Sequence, residues 1–322
     1  MKWYRILLWI CLAATLRADA PAAADTPQVV IVVGAEGQPE YGEQFRRQVT
    51  QWTNACGRAG SVFEVIGTDT NGTTTDLDRL RSRLTTVPTN GLAPLWIVLI
   101  GHGTWDGREA RFNLRGPDCT AADFAQWLKP IQRPIAVINT ASASAPWIPA
   151  LAGPRRVVIS ATRSGDEQNL TRFGGFLAEA IADASGDLDQ DGQTSLLEAF
   201  LRASTRTAEW YQTAGRLATE HALMDDNGDG LGTPAAWFRG TRATRRAAEG
   251  ARLDGAVGGQ SVLVRSEWDR RLSAEDRVRR DALELELNRL RERRPEPPDD
   301  GYYRKVEAIA LELARLQTTP KP

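Results

Sequence analysis

The residues of this chain best suited to chemistry are His102 and Gly103, which directly follow the apolar run 95–100, LWIVLI. A histidine at the end of a buried strand can act as a general base, because open α/β sheets carry their reactive groups at the carboxyl ends of strands. The next comparable run, 135–138, leads into the tetrapeptide 139–142, NTAS, which contains no thiol. The sequence therefore offers a base without an evident cysteine nucleophile.

A second constellation, the acidic stretch 187–198, matches the twelve-residue EF-hand loop. Gly192 at position six permits the sharp turn of such a loop. Calcium fits this set because it is a hard cation that takes many oxygen ligands, and the alternative is an acidic turn without metal. The predicted ligands are Asp187, Asp189, Asp191, the backbone carbonyl of Gln193, Ser195 through a water molecule, and both carboxylate oxygens of Glu198.

The stretch 225–230, DDNGDG, begins like another loop of this kind. Its twelfth position is Ala236, so the closing bidentate carboxylate is missing. The sequence leaves two interpretations open here, a weaker metal site and a structural turn.

The overall charge balance excludes one class of partner. The chain has 322 residues with 40 basic and 41 acidic side chains, which gives a net charge of -1. Such a balance provides no global attraction to nucleic acid or to an anionic membrane, and we expect no nucleic-acid partner.

The segment 1–20 has the pattern of a secretory signal peptide. Lys2 and Arg5 precede the short apolar stretch 6–16, and Ala-Asp-Ala at 18–20 offers a cleavage site of small residues. We expect a periplasmic or secreted protein with no stable membrane span after signal removal. The alternative is an uncleaved N-terminal anchor.

Signal removal would leave two cysteines, Cys56 and Cys119. In an oxidising compartment two remaining cysteines often pair, and the alternative is two buried free thiols. Neither residue follows a strand-ending apolar run, so neither is expected to be a nucleophile.

Strand-like and helix-like segments alternate between residues 28 and 182. This alternation predicts an α/β domain in which a mostly parallel central sheet is covered by helices on both faces. The predicted strands are 28–33, 61–66, 95–100, 135–138 and 155–160, and the predicted helices are 43–56, 74–84, 121–128 and 173–182.

The organisation changes after residue 240. The segment 241–264 is rich in Arg, Ala and Gly and is predicted to be a linker. The segment 265–322 is predicted to be a helical tail, in which the breaker 294–301 separates two helices into a hairpin.

Three ordered motifs resemble a known family: 97–103 (IVLIGHG), 137–144 (VINTASAS) and 157–167 (VVISATRSGDE). They are similar to the caspase-like fold (clan CD), and most of all to the legumain-type cysteine peptidases and their bacterial relatives, over about residues 28–240. The resemblance implies a three-layer domain with a histidine base, a cysteine nucleophile after the next strand, and N–H groups near the His-Gly turn that stabilise an oxyanion. It also implies that 162–167 helps to wall the substrate pocket.

By this resemblance, His102 and Gly103 match the base and its turn, and Ala141 falls at the nucleophile position. A methyl group cannot attack a carbonyl. Ser142 is the alternative nucleophile after a one-residue slip, although such a slip usually turns a side chain to the opposite face.

Three functions are consistent with this pattern. The first is a secreted or periplasmic peptidase homologue that lacks peptidase activity, is stabilised by calcium, and binds a peptide or protein ligand. The second is an active hydrolase that uses His102 with Ser142. The third is a scaffold whose helical tail carries the function.

Overall fold

The structure is a computed structural model, and it describes residues 26–69, 73–183 and 186–318. The predicted signal peptide, 1–20, lies outside these ranges. Within them, no helix combines the length and the apolar character that crossing a membrane requires.

Strands and helices alternate along the first part of the chain, as the sequence predicts. The strands are β1 Gln28–Val33, β2 Val62–Ile66, β3 Leu95–Ile100, β4 Gly103–Trp105, β5 Ala110–Phe112, β6 Cys119–Thr120, β7 Ile135–Asn139, β8 Arg156–Ser160, β9 Leu223–Asp225, β10 Thr233–Pro234, β11 Phe238–Arg239 and β12 Arg242–Ala243. The α-helices are α1 Pro39–Ala59, α2 Asp76–Thr86, α3 Ala121–Leu128, α4 Trp147–Leu151, α5 Phe173–Ala182, α6 Leu196–Thr213, α7 Ala256–Gln260, α8 Glu267–Arg271, α9 Ala274–Glu292 and α10 Asp300–Thr318.

The core of the domain is a mostly parallel sheet of seven strands in the order β10-β9-β8-β7-β3-β1-β2. The strands β2, β1, β3, β7 and β8 run parallel to one another, and β9 pairs with β8 in the antiparallel direction. All six residues of β3 are buried, because a strand in the middle of a covered sheet is apolar on both faces. The predicted α/β class with a mostly parallel sheet is therefore confirmed.

Helices cover both faces of this sheet and make three layers. On one face α1, α5 and α6 pack Trp52, Phe173 and Phe200 against the even-numbered residues of β3. On the other face α2, α3 and α4 pack Leu84, Phe124 and Trp147 against the odd-numbered residues of β3. Successive side chains of a strand point to opposite faces, which explains this division. The same alternation determines which face the side chains just after a strand end can reach.

The two thiols lie on different faces of the sheet. Cys56 belongs to the cluster under α1, and Cys119 belongs to the cluster under α3. Both thiols are free and buried, and burial raises the pKa of each. Of the two alternatives that the sequence left open, a disulfide and two buried free thiols, the structure shows the free thiols.

The segment 241–264, predicted as a linker, packs onto the domain. Asp226 after β9 accepts hydrogen bonds from the backbone N–H groups of Gly255 (2.8 Å) and Gly258 (2.6 Å), at the start of α7. Asp254 is 4% exposed and Leu263 is 1% exposed. Backbone N–H groups and small residues make these contacts. The segment is therefore held in place even though its composition is typical of a flexible linker.

The predicted helical hairpin is present as α9 and α10, joined across the pair by Arg279 and Glu312 at 2.8 Å. Its first helix is fixed to the preceding helix by charge, because Arg280 of α9 pairs with Asp269 of α8 and with Asp281. Asp269 is 2% exposed and also accepts Arg265 at 3.2 Å. The attachment of the hairpin therefore depends on a buried ionic network.

Replacing the buried member of this network tests that dependence. We expect Asp269→Asn to lower the free energy of unfolding by about 3 kcal/mol, because removing one partner of a buried ion pair strands the other. The exposed pair offers a matched control, since Glu312→Gln should change stability by no more than about 0.5 kcal/mol. Urea unfolding of the full chain measures both variants, and equal losses would contradict the proposed role of Asp269.

Candidate functional site

His102 lies just beyond β3 and is half-buried against α1. Its ring contacts Tyr41 and Phe45 edge-on, with centroid distances of 5.2 and 5.4 Å. Burial lowers the pKa of His102, and a hydrogen bond with the backbone of Glu36 opposes this effect only in part. The imidazole is therefore neutral near pH 7 and turned toward the loop that connects β1 to α1.

Ser142 connects the loop after β7 to the His-Gly turn. Its hydroxyl donates to the Gly103 carbonyl at 3.0 Å and accepts from the Gly103 N–H at 3.1 Å. Ser142 is 2% exposed. The side chain thus bridges the ends of two neighbouring strands and occupies both backbone groups of Gly103.

Glycine is required at position 103 because the next loop approaches its backbone so closely. A Cβ at this position would lie 2.3 Å from the Ser142 carbonyl oxygen and 3.1 Å from that of Arg111. Any larger residue would have to push the loops apart. The glycine that the sequence places after the histidine is explained by this packing.

Ala141 does not face His102, which differs from the sequence expectation. Ala141 is 1% exposed and belongs to the apolar cluster of Phe112 and Trp147 on the α3 and α4 face, whereas His102 packs on the α1 face. Strand parity is the physical reason, since it continues past the end of β7 and turns residue 141 away. Of the two candidate nucleophile positions, only Ser142 has a side chain hydrogen-bonded to the His-Gly turn.

The predicted wall at 162–167 is organised by Glu167. Its carboxylate accepts the backbone N–H of Arg163 (2.9 Å) and of His221 (3.1 Å), and it contacts His221 Nδ1 at 2.5 Å. Its carbonyl accepts the N–H of Ala143 at 2.8 Å, which holds Ala143 at a φ of 52°, a conformation uncommon outside glycine. Glu167 therefore joins the loop after β7 to the segment that carries His221.

A groove beside α6 was not apparent from the sequence. It has a volume of about 910 Å³, and its lining includes Leu188, Leu201, His221 and Phe238. These residues lie far apart along the chain, and no local spacing connects them, which is why sequence reasoning missed the groove.

The acidic loop brings its first three predicted ligands together. Carboxylate oxygens of Asp187, Asp189 and Asp191 all lie within 4.8 Å of one another. Burial raises the pKa of Asp189 to about 6, and the charges of Glu198 and Asp191 add to the effect. Concentrated negative charge of this kind fits a hard cation, and the all-oxygen donor set matches calcium.

Glu198 and Ser195 close the same loop from the start of α6. Glu198 is 2% exposed, and its Oε1 accepts the backbone N–H groups of Leu188 (2.7 Å) and Asp189 (3.1 Å). Its Oε2 accepts the N–H and the hydroxyl of Ser195 at 2.8 and 2.7 Å, in a capping box. Both residues lie where the EF-hand pattern expects them. Glu198 would have to exchange these four donors for the cation to act as the closing ligand.

The stretch 225–230 is built as a turn. Asp225 is 1% exposed, and its carboxylate accepts the N–H groups of Gly228 (2.8 Å) and Gly230 (2.9 Å). Backbone donors thus engage both of its oxygens, which favours the structural interpretation over a second calcium site.

Comparisons with known proteins give little beyond this geometry. No family model matches the chain, and no curated protein matches it. Among solved structures, the chain is similar to the Drosophila initiator caspase Dronc, with a TM-score of 0.38 and 10% identity over 64% of this chain and 81% of that chain. The assignment to the α/β class rests on the seven-stranded sheet itself.

The state of His102 can be measured directly, because the chain has only two histidines. We expect the His102 ring protons to titrate with a pKa below the usual value of about 6.5, since burial disfavours the imidazolium. The unfolded chain binds a proton at His102 more readily than the folded protein does. The free energy of unfolding should therefore fall as the pH drops from about 6.5 toward the folded-state pKa of His102. NMR titration with His221→Gln assigns the signals, and a His102 pKa above the usual value would contradict the described packing.

Proposed function

We propose that this protein is a caspase/legumain-like peptidase homologue that lacks peptidase activity and binds a peptide or protein at the loops around His102. The observation that carries the proposal is the pair of hydrogen bonds between the Ser142 hydroxyl and the backbone of Gly103. The proposal also rests on the sequence resemblance of the three motifs around these residues.

These bonds work against acyl transfer in two ways. A serine nucleophile must give its proton to a base, but the Ser142 proton is directed to the Gly103 carbonyl. An oxyanion needs a free N–H donor, but the Gly103 N–H is already directed to the Ser142 hydroxyl. His102 is engaged with the backbone of Glu36, and burial holds its pKa down.

The loops after β3 and β8 carry groups suited to binding. The neutral His102 ring can accept or donate a hydrogen bond. Trp105 is half-buried, with its ring lying against Gly165, and its carbonyl accepts from Gln168 at 3.4 Å. An aromatic surface beside polar backbone groups is the kind of lining that peptide-binding clefts use.

One observation favours the alternative, an active serine hydrolase. The Ser142 Oγ lies 3.1 Å from the Gly103 N–H, which the family resemblance assigns to oxyanion stabilisation. A substrate carbonyl that displaced this hydrogen bond would lie next to both the Ser142 hydroxyl and the Gly103 N–H.

Activity assays separate the two functions. We expect the wild-type protein and Ser142→Ala to be equally inactive on a peptide library and equally unlabelled by a fluorophosphonate, because the Ser142 hydroxyl is not activated. Turnover or labelling that disappears in Ser142→Ala would establish the hydrolase. Binding of immobilised library peptides should weaken about tenfold in Trp105→Ala, as for loss of an aromatic contact, and should persist in the control Trp237→Ala.

We further propose that the protein is exported to the periplasm or secreted, and that calcium binds at 187–198 and stabilises it. The signal-like pattern of 1–20 supports export. The convergence of Asp187, Asp189 and Asp191 supports calcium, with Gln193, Ser195 and Glu198 at the remaining ligand positions. Calcium would neutralise the clustered carboxylates and fix the loop that precedes α6.

Calcium should raise the melting temperature of the wild-type protein. Binding to the folded state alone adds about 2.7 kcal/mol when calcium exceeds its Kd a hundredfold. Asp189→Ala removes a ligand and should abolish most of the increment, whereas Asp229→Ala in the 225–230 turn should retain it. Thermal unfolding with calcium and with EGTA provides the measurement, and an equal response in Asp189→Ala would contradict the site.

A further inference from the structure

The calcium loop is physically joined to the segment that leads into the helical hairpin. Leu196 N–H donates to the Ser261 carbonyl at 2.8 Å, and Ser195 forms an antiparallel bridge with Val262. These two contacts attach the end of the loop to residues 261–262. A third contact comes from a side chain.

Gln193, at position seven of the loop, makes this third contact. It is 7% exposed, and its side-chain amide donates to Asp191 Oδ2 at 3.1 Å. Its amide oxygen accepts the backbone N–H of Ser266, the N-cap of α8, at 3.1 Å. One buried amide therefore spans from a predicted calcium ligand to the helix before the hairpin.

The connection continues from α8 into the hairpin. Asp269 of α8 pairs with Arg280 of α9, and Gln260 of α7 donates to the Asp281 carbonyl (2.8 Å) and to Glu284 (3.0 Å). Burial raises the pKa of Glu284, and the negative charges of Asp281 and Asp191 add to this effect. The first helix of the hairpin thus lies within electrostatic reach of the acidic loop.

We propose that calcium in the 187–198 loop controls the docking of the hairpin α9–α10 onto the α/β domain, and that Gln193 transmits the effect. The inference rests on the calcium site of the proposed function and assigns a regulatory role to it. Gln193 supplies two separate groups, since its backbone carbonyl is the predicted ligand and its side chain is the link.

The physical basis is charge and order within the loop. Without a cation, the carboxylates of Asp187, Asp189 and Asp191 repel one another, and Asp191 also repels Glu284. Opening of the loop would move Asp191 and release the Gln193 amide from Ser266. With calcium the same carboxylates are drawn together, which holds Gln193 and therefore the N-terminus of α8.

Hydrogen–deuterium exchange of the full chain tests this coupling. In the wild-type protein, calcium should slow amide exchange across 266–292 about tenfold relative to EGTA, because local opening limits exchange. Gln193→Ala keeps the backbone ligand and should still bind calcium in calorimetry, with an affinity lowered by about tenfold because coupling is reciprocal, and it should lose this protection. Gln190→Asn, an exposed amide in the same loop whose positive φ suits Asn, is the matched control and should behave like the wild type.

Each result bears on a different claim. If calcium binds but leaves 266–292 unchanged in the wild type, the coupling is wrong and the calcium site stands. If the protection survives in Gln193→Ala, the assigned link is wrong. If calorimetry detects no calcium binding by the wild type, the calcium site and the coupling both fall.

Discussion

The hydrogen bonds between Ser142 and Gly103 constrain the rest of the site. They join the loops after β7 and β3 at the carboxyl edge of the sheet. The close approach they impose leaves no room for a side chain at position 103. They also bury Ser142 and direct its hydroxyl proton to a carbonyl, so Ser142 and Gly103 hold two strand ends together.

The parts of the fold that could be predicted are those that local patterns specify. Apolar runs gave β1 and β3 with the observed bounds, and apolar residues at helical spacing gave α3. The hairpin followed from two amphipathic stretches and a breaker. The packing of 241–264 onto the domain could not be predicted from its composition, because backbone N–H groups, which every residue except proline carries, make its contacts with Asp226.

The candidate site was predictable in its parts and not in its orientation. His102 and Gly103 stand at the end of β3 as expected, and the acidic loop gathers its three aspartates. The motif match aligned Ala141 by residue type, whereas the odd–even alternation of β7 continues to Ala141 and turns its side chain to the α3 and α4 face. The role of Glu167 was also hidden, because its partners His221 and Ala143 are distant in sequence.

The central claim is that Ser142 occupies the Gly103 N–H, and exchange of that one amide proton tests it most directly. In NMR exchange measurements on the wild-type protein, the Gly103 amide should be strongly protected, because its acceptor is a buried hydroxyl. In Ser142→Ala the protection should fall, while neighbouring amides within β3 remain slow. A Gly103 amide that exchanges rapidly in the wild type, or equally slowly in both proteins, would contradict the account.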